Sequence, residues 1–98
     1  MAEYVLAQTL ARTLRKRRHE LGLSQENVAL SAGIDRTTYQ LMESGKSDRS
    51  TNSLLNPHLF TLFALAQVLK IPLSELVEAS AQAAMNAMQQ GKINSQYR

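Results

Sequence analysis

The sequence predicts an all-α fold of five helices. Apolar residues recur at three- and four-residue spacing along most of the 98 residues, and no stretch alternates apolar and polar residues as a half-buried strand would. Glycines and prolines divide this pattern into five segments. Because a chain of this length supports one modest core, we expect residues 1–90 to form a single domain and residues 91–98 to be a frayed tail.

Caps mark the first three predicted helices. Ser24 and Asp35 are good N-cap residues for the second and third helices. Gly22, Gly33 and Gly45 each follow a helix, as glycine commonly does in the left-handed conformation. These helices are predicted at residues 4–21, 25–32 and 36–44. The inward positions of the first are predicted to be Tyr4, Leu6 or Ala7, Leu10, Leu14 and Leu21.

The second half of the chain predicts a loop and two more helices. Residues 46–55 are polar and lack periodicity, which indicates a loop that is long for a helical bundle. Asn56 and Pro57 are a typical helix start, and the fourth helix is predicted to end near Leu69. Its inward residues are predicted to be Leu59, Leu62, Leu65, Ala66 and Leu69. Phe60 falls outside that stripe. An alanine-rich fifth helix is predicted from about Ser74 to Gly91.

Composition excludes several classes of function. The chain has no cysteine, and its two histidines, His19 and His58, lie in separate segments. We therefore expect no disulfide, no metal site and no cofactor, and without a catalytic motif we expect no enzyme activity. No apolar run approaches the length of a membrane span, so we expect a cytoplasmic protein without a membrane partner.

Basic residues cluster near the end of the first predicted helix. The net charge is +3, and five of the eleven basic residues fall between Arg12 and Arg18 without an acidic residue among them. Such a cluster can meet a polyanion, although a basic helix face is more often simply solvated.

The segment QENVALSAGIDRTTYQLMES has the spacing of a helix-turn-helix. Two short helices that cross closely need a small residue at the contact, here Ala29, and a residue tolerant of positive φ in the turn, here Gly33. Both helices also need apolar inward residues. Those positions are occupied by Val28, Ala32, Ile34, Tyr39 and Met42.

The stretch LGLSQENVALSAGIDRTTYQLMESGKS resembles the helix-turn-helix of the phage-repressor (Xre-like) family, and NPHLFTLFALAQVLKIPLSELV resembles that family's fourth and fifth helices. The resemblance covers about residues 10–78. It implies an all-α, five-helix, lambda-repressor-like DNA-binding domain, here with an extended fifth helix. It also implies a sequence-specific transcriptional regulator of the repressor or controller type.

The resemblance also implies roles for particular residues. Arg18 and Glu43 would form a structural ion pair between the first and third helices. Arg15, Lys16 and Arg17 would be mostly solvated, with Arg17 the best placed of them for a long-range phosphate contact.

The first turns of the third helix would enter the major groove of double-stranded DNA, and flanking residues would contact its backbone. The DNA-binding residues are predicted to be Gln25, Arg36, Thr37, Thr38, Gln40, Lys46 and Arg49. A phosphate contact, or pairing with Asp35 or Glu43, is the alternative role of Arg36, and a solvated helix start is the alternative for Gln25.

A single recognition helix reads about one half-site, so a palindrome-binding homodimer is expected, with half-sites roughly 34 Å apart. The candidate interface residues are Val77, Ala81, Ala84, Met85, Met88 and Phe60. In one alternative, the residues of the fifth helix instead cap the monomer core or pack on the first helix. In another, residues 4–6 cover Phe60. The alternative function is an antitoxin-like module that neutralises a partner protein and autoregulates its operon.

Overall fold

Five helices are present in the computed structural model, which describes residues 2–46, 54 and 57–96, with the backbone alone for 92–96. They are α1 (Ala2–Glu20), α2 (Gln25–Ala32), α3 (Arg36–Glu43), α4 (Leu59–Val68) and α5 (Leu73–Gln96). Within those residues β pairing is limited to one isolated antiparallel bridge between Lys46 and Leu54. The all-α, five-helix prediction is confirmed.

The core lies between α1 and the helices packed against it. α1 runs along α5 and also contacts α3, while α2 contacts both α3 and α4. The fully buried apolar side chains come from all five helices: Ala7, Leu10, Ala11, Leu14, Val28, Ala29, Tyr39, Met42, Leu65, Ala66, Leu69 and Leu76. The helix-turn-helix is therefore anchored on two sides, through α2 on α4 and through α3 on α1.

Four helices end in the same hydrogen-bond pattern. One residue just past each helix donates its N–H to the carbonyl three residues back, and the residue after it donates to the carbonyl five residues back, which satisfies carbonyls left over at a helix end. Glycines with positive φ occupy the first of these positions after α1, α2 and α3. After α4 the position is taken by Lys70, with φ of 56°, a conformation that costs a residue with a Cβ roughly 1 kcal/mol. The chain thus leaves α4 two residues before Pro72.

The predicted start of α4 is wrong. The helix begins at Leu59 with His58 as N-cap and without a side-chain cap, and Pro57 precedes it. Pro57 instead lines an apolar cavity with side chains of α1 and α5, and His58 after it has an extended backbone, with φ of −66° and ψ of 154°. The shift leaves Leu59 72% exposed, although it was predicted to face inward. Asn56 lies outside the described residues.

α5 is longer than predicted. Gly91 does not end it, because the helix continues to Gln96 and Gly91 lacks the positive φ of a terminating glycine. An exposed helical glycine costs about 1 kcal/mol relative to alanine but does not break a helix. The segment predicted to be a frayed tail is therefore helical as far as Gln96.

Three expectations for α1 are also wrong. Arg15 was expected to be mostly solvated, but its side chain is half-buried and donates to the Glu43 carbonyl. Tyr4 was assigned to the inward face but is 54% exposed. Arg17 was expected to be solvated and to approach phosphate. Its Nε instead donates to the Leu69 carbonyl at 2.7 Å and its terminal nitrogen to the Lys70 carbonyl at 3.1 Å. Arg17 therefore caps the C-terminal end of α4, where a cation is electrostatically favoured.

Replacing Arg17 with methionine should lower the free energy of unfolding by about 1–2 kcal/mol, because two helix-terminal carbonyls lose their charged donor. Urea denaturation measures this loss. Lys16→Met is the matched control: Lys16 is the exposed neighbour, so its loss should cost less than about 0.5 kcal/mol. Equal effects of the two changes would contradict the capping role.

Candidate nucleic-acid interface

α2 and α3 cross with a close contact at Ala29, which is 2% exposed. Between them, Gly33 adopts φ of 72°, and the Ile34 N–H donates to the Ala29 carbonyl at 3.0 Å. Val28 and Tyr39 are fully buried under this crossing. The chain therefore forms the helix-turn-helix that its spacing predicts.

The first turn of α3 presents polar side chains to solvent. Asp35 is its N-cap: the carboxylate accepts the N–H of Thr37 at 3.0 Å and of Thr38 at 3.4 Å. Arg36, Thr37 and Thr38 are exposed, and Gln40 is half-buried. Asp35 thus fixes the backbone from which these side chains project.

Arg36 makes no ion pair with any residue that the structure describes. The carboxylate of Asp35 caps α3, and that of Glu43 is bound by Arg18. The guanidinium of Arg36 is consequently free to bind a ligand.

Glu43, the last residue of α3, is held from two other helices. Its carboxylate accepts two hydrogen bonds from Arg18, at 2.6 and 3.0 Å, and one from the Gln25 amide at 2.9 Å. Its backbone carbonyl accepts a hydrogen bond from Arg15. A third nitrogen of Arg18 donates to the Leu23 carbonyl at 2.9 Å. We call these residues the Glu43 cluster; it ties α1, the start of α2 and the end of α3 into one unit.

The ion pair in this cluster is desolvated, with 11% of the Arg18 side chain and 3% of the Glu43 side chain exposed. Burial by itself would raise the pKa of Glu43, but hydrogen bonds from Arg18 and its neighbours outweigh it and lower that pKa. The same contact raises the pKa of Arg18. Glu43 is therefore held in the charged form by its partners.

Tyr39 lies beneath the Glu43 cluster. Burial, and then the neighbouring Glu43 carboxylate, raise the pKa of its phenol. The hydroxyl does not reach hydrogen-bonding geometry with any described residue. Its contribution to the site is therefore the packing of its ring.

Gln25 opens α2 beside the recognition helix. Its side-chain amide donates to Glu43, so the predicted phosphate-binding residue is already held in place. Ser24 caps the helix by accepting the Asn27 N–H at 3.0 Å. Gln25 and Glu26 are the first two residues of this helix, and their backbone N–H groups make no hydrogen bond within the described part of the chain.

Lys46 follows α3 directly and is exposed. Gly45 precedes it with φ of 79°, and a Cβ there would lie 2.4 Å from the Gln8 amide nitrogen. The bridge to Leu54 fixes Lys46 from the other side. Arg49, the remaining predicted backbone contact, lies outside the described residues.

The candidate dimer residues divide into two groups. Ala81, Met85 and Met88 are exposed on α5, whereas Val77 and Ala84 are half-buried in the monomer. Phe60 on α4 is 79% exposed, so residues 4–6 do not cover it within the monomer.

Neither a metal-binding cluster nor a single membrane-spanning helix occurs in the described residues. No three side chains of His, Cys, Asp or Glu come together in a group that could hold a metal ion. No single helix there is long and apolar enough to cross a membrane; only Leu59–Val68 and Leu73–Gly91 taken together reach that length and composition, with a bend of 119° between them.

Acid should destabilise the protein through Glu43. Because the folded-state pKa lies below the ordinary value of 4.5, the stabilisation is present above about pH 4.5 and is lost as the pH falls below it. Glu43→Gln should cost about 3 kcal/mol at pH 7, since it leaves Arg18 without its counter-ion, and should flatten this acid dependence. Urea denaturation from pH 7 downward, with the exposed Glu26→Gln as control, measures both effects. A steep acid dependence that survives in Glu43→Gln would contradict this assignment.

A family model described as helix-turn-helix matches residues 14–76, which is more than half of the chain. No curated protein and no solved structure matches the chain. The matched segment contains α2, α3 and α4 together with the arginines of α1 that hold Glu43. The chain therefore belongs to the phage-repressor, Xre-like family of helix-turn-helix DNA-binding transcriptional regulators.

Proposed function

We propose that the protein regulates transcription by binding a palindromic operator as a homodimer, in the manner of a repressor or controller. The observation that carries this proposal is the exposed first turn of α3, where Arg36 has no ionic partner among the described residues. The Glu43 cluster holds the other end of the same helix. A rigid helix with a free guanidinium at its N-terminal end suits insertion into the major groove.

Base recognition follows from the side chains on that turn. The Arg36 guanidinium can donate two hydrogen bonds to O6 and N7 of guanine, and the Gln40 amide can pair with adenine. The methyl groups of Thr37 and Thr38 can pack on thymine methyl groups. These four residues supply the sequence preference.

Backbone contacts set the register on DNA. The start of α2 offers the N–H groups of Gln25 and Glu26 to a phosphate, with the positive end of the helix dipole behind them. The exposed ammonium of Lys46 supplies charge at the other end of the recognition helix, and Arg49 adds to it. Phosphate contacts of this kind position the protein without reading sequence.

Arg36→Ala should reduce discrimination at one base pair in each half-site by about 1–3 kcal/mol. Lys46→Ala is the matched comparison, because it removes an exposed cation without removing a base contact. It should weaken binding to all sequences alike and reduce the dependence of binding on salt. Titration of operator and of single-base variants by fluorescence anisotropy at several salt concentrations separates the two patterns. A uniform loss in Arg36→Ala would contradict its role in reading bases.

The homodimer follows from the size of the target. One α3 helix covers about one half-site, and a two-fold dimer doubles the contact while matching a palindrome. The exposed residues Ala81, Met85 and Met88 of α5 suit such an interface, because small residues allow close approach and methionines fill irregular gaps.

Met85→Asp should give a monomer, because it places a charge in an apolar interface. Gln90→Asp is the control, since it adds the same charge to an exposed polar position of α5 and should leave the dimer intact. Sedimentation equilibrium measures the mass of each variant. If Met85→Asp formed a dimer as tight as that of the unaltered chain, the interface would have to lie on another part of the molecule than α5.

A further inference from the structure

We propose that Phe60 of each copy inserts into an apolar cavity of the other copy, so that the dimer is joined by two symmetric aromatic contacts. This inference rests on the proposed homodimer and specifies how its surfaces fit. It involves residues of α1 and α4 in addition to the exposed α5 residues Ala81, Met85 and Met88. Three observations support it: the cavity, the absence of charge around it and the exposure of Phe60.

The cavity lies where α1, α4 and α5 meet, and its volume is about 230 Å³. Its apolar wall includes Leu6 and Leu10 of α1, Pro57 and Leu62 at the start of α4, and Val77 and Ala81 of α5. An apolar cavity of about 150 Å³ already accepts a benzene molecule. The volume therefore suffices for the ring of a phenylalanine.

The segments that build this end of the molecule carry no formal charge. Residues 4–11, 57–69 and 79–91 contain no Asp, Glu, Lys or Arg, although they come from three distant parts of the chain. Each of the three contributes to the wall of the cavity. Surfaces that stay in contact with water normally carry charged residues, whereas the centres of protein interfaces are depleted of them.

Large apolar side chains are exposed on the same three segments. Their exposed fractions are 54% for Tyr4, 42% for Leu6, 72% for Leu59, 79% for Phe60, 46% for Phe63, 54% for Met85 and 59% for Met88. Together they present apolar surface on the order of 700 Å². A stable interface takes about 800 Å² from each partner. This area favours a second copy of this chain as the partner that covers the exposed apolar side chains.

Phe60 is the most exposed large apolar side chain on the three segments that line the cavity, at 79%. It lies on α4 but is not itself a wall residue, so it does not fill the cavity of its own subunit. In a two-fold dimer the same patch meets itself, so that Phe60 of one copy can face the cavity of the other and the reverse holds equally.

The chain contains no tryptophan, which makes Phe60→Trp a single-tryptophan reporter when excited at a wavelength that tyrosine does not absorb. Its emission should shift to shorter wavelength as the protein concentration rises and the indole enters the partner's cavity. Leu30→Trp is the matched control, because Leu30 is also 79% exposed but lies on α2, and its emission should not change. Ala81→Phe, which fills the cavity from an exposed position, should abolish the shift when combined with Phe60→Trp.

Sedimentation equilibrium on the unaltered chain and on Phe60→Ala completes the test. The inference predicts a dimer for the unaltered chain and dimerisation weakened roughly 100-fold or more in Phe60→Ala, as expected for an aromatic hot spot. Circular dichroism must show an unchanged helical signal in each variant. Two results would contradict the insertion of Phe60: a dimer as tight in Phe60→Ala as in the unaltered chain, or Phe60→Trp emission that changes neither with protein concentration nor with Ala81→Phe. Either result would still be compatible with a homodimer formed in another way. A monomeric unaltered chain, with or without operator, would overturn the homodimer itself.

Discussion

The ion pair between Arg18 and Glu43 is the constraint on which the rest of the structure depends. It joins α1 to the last residue of α3, with nearly all of the Glu43 side chain withdrawn from water. Arg15 and Gln25 bind the same residue, one at its carbonyl and the other at its carboxylate. A buried carboxylate needs such partners, because an unpaired charge in the same place would cost several kcal/mol. The orientation of the recognition helix is therefore set from one end by α1 and α2 together.

Three of the basic residues of α1 therefore have structural roles. Arg15 and Arg18 face α3, and Arg17 caps α4 at the Leu69 and Lys70 carbonyls. In the proposed complex, the charge that meets DNA comes mainly from Arg36 of α3 and from Lys46 after it. The uncharged segments, residues 4–11, 57–69 and 79–91, carry exposed apolar side chains instead. Charge and exposed apolar side chains thus lie on different segments of the chain, which suits the proposed pairing of one polyanionic ligand with one protein partner.

The fold could be predicted well from the sequence because its signals are local. Ser24, Asp35 and Gly33 act within a few residues of themselves, so their roles follow from position along the chain. The start of α4 could not be predicted in this way, since Pro57, a typical first helical residue, instead lines a cavity whose walls also come from distant parts of the chain. The same limit applies to the arginines: their spacing places Arg15 and Arg18 on one helix face, but only the tertiary structure shows that Glu43 lies opposite. Lys70 ends α4 in a conformation that glycine usually adopts, and no local pattern marks it.

We propose that a rigid α3, held through Glu43 and presented by a two-fold dimer, reads a palindrome. Selection of bound duplexes from a random pool tests this most directly, because one result reports DNA binding, symmetry and spacing together. An inverted repeat should be enriched, with half-site centres about 10 base pairs apart or a multiple of that distance. Enrichment of a single unrepeated site, or the absence of any enriched sequence, would contradict it.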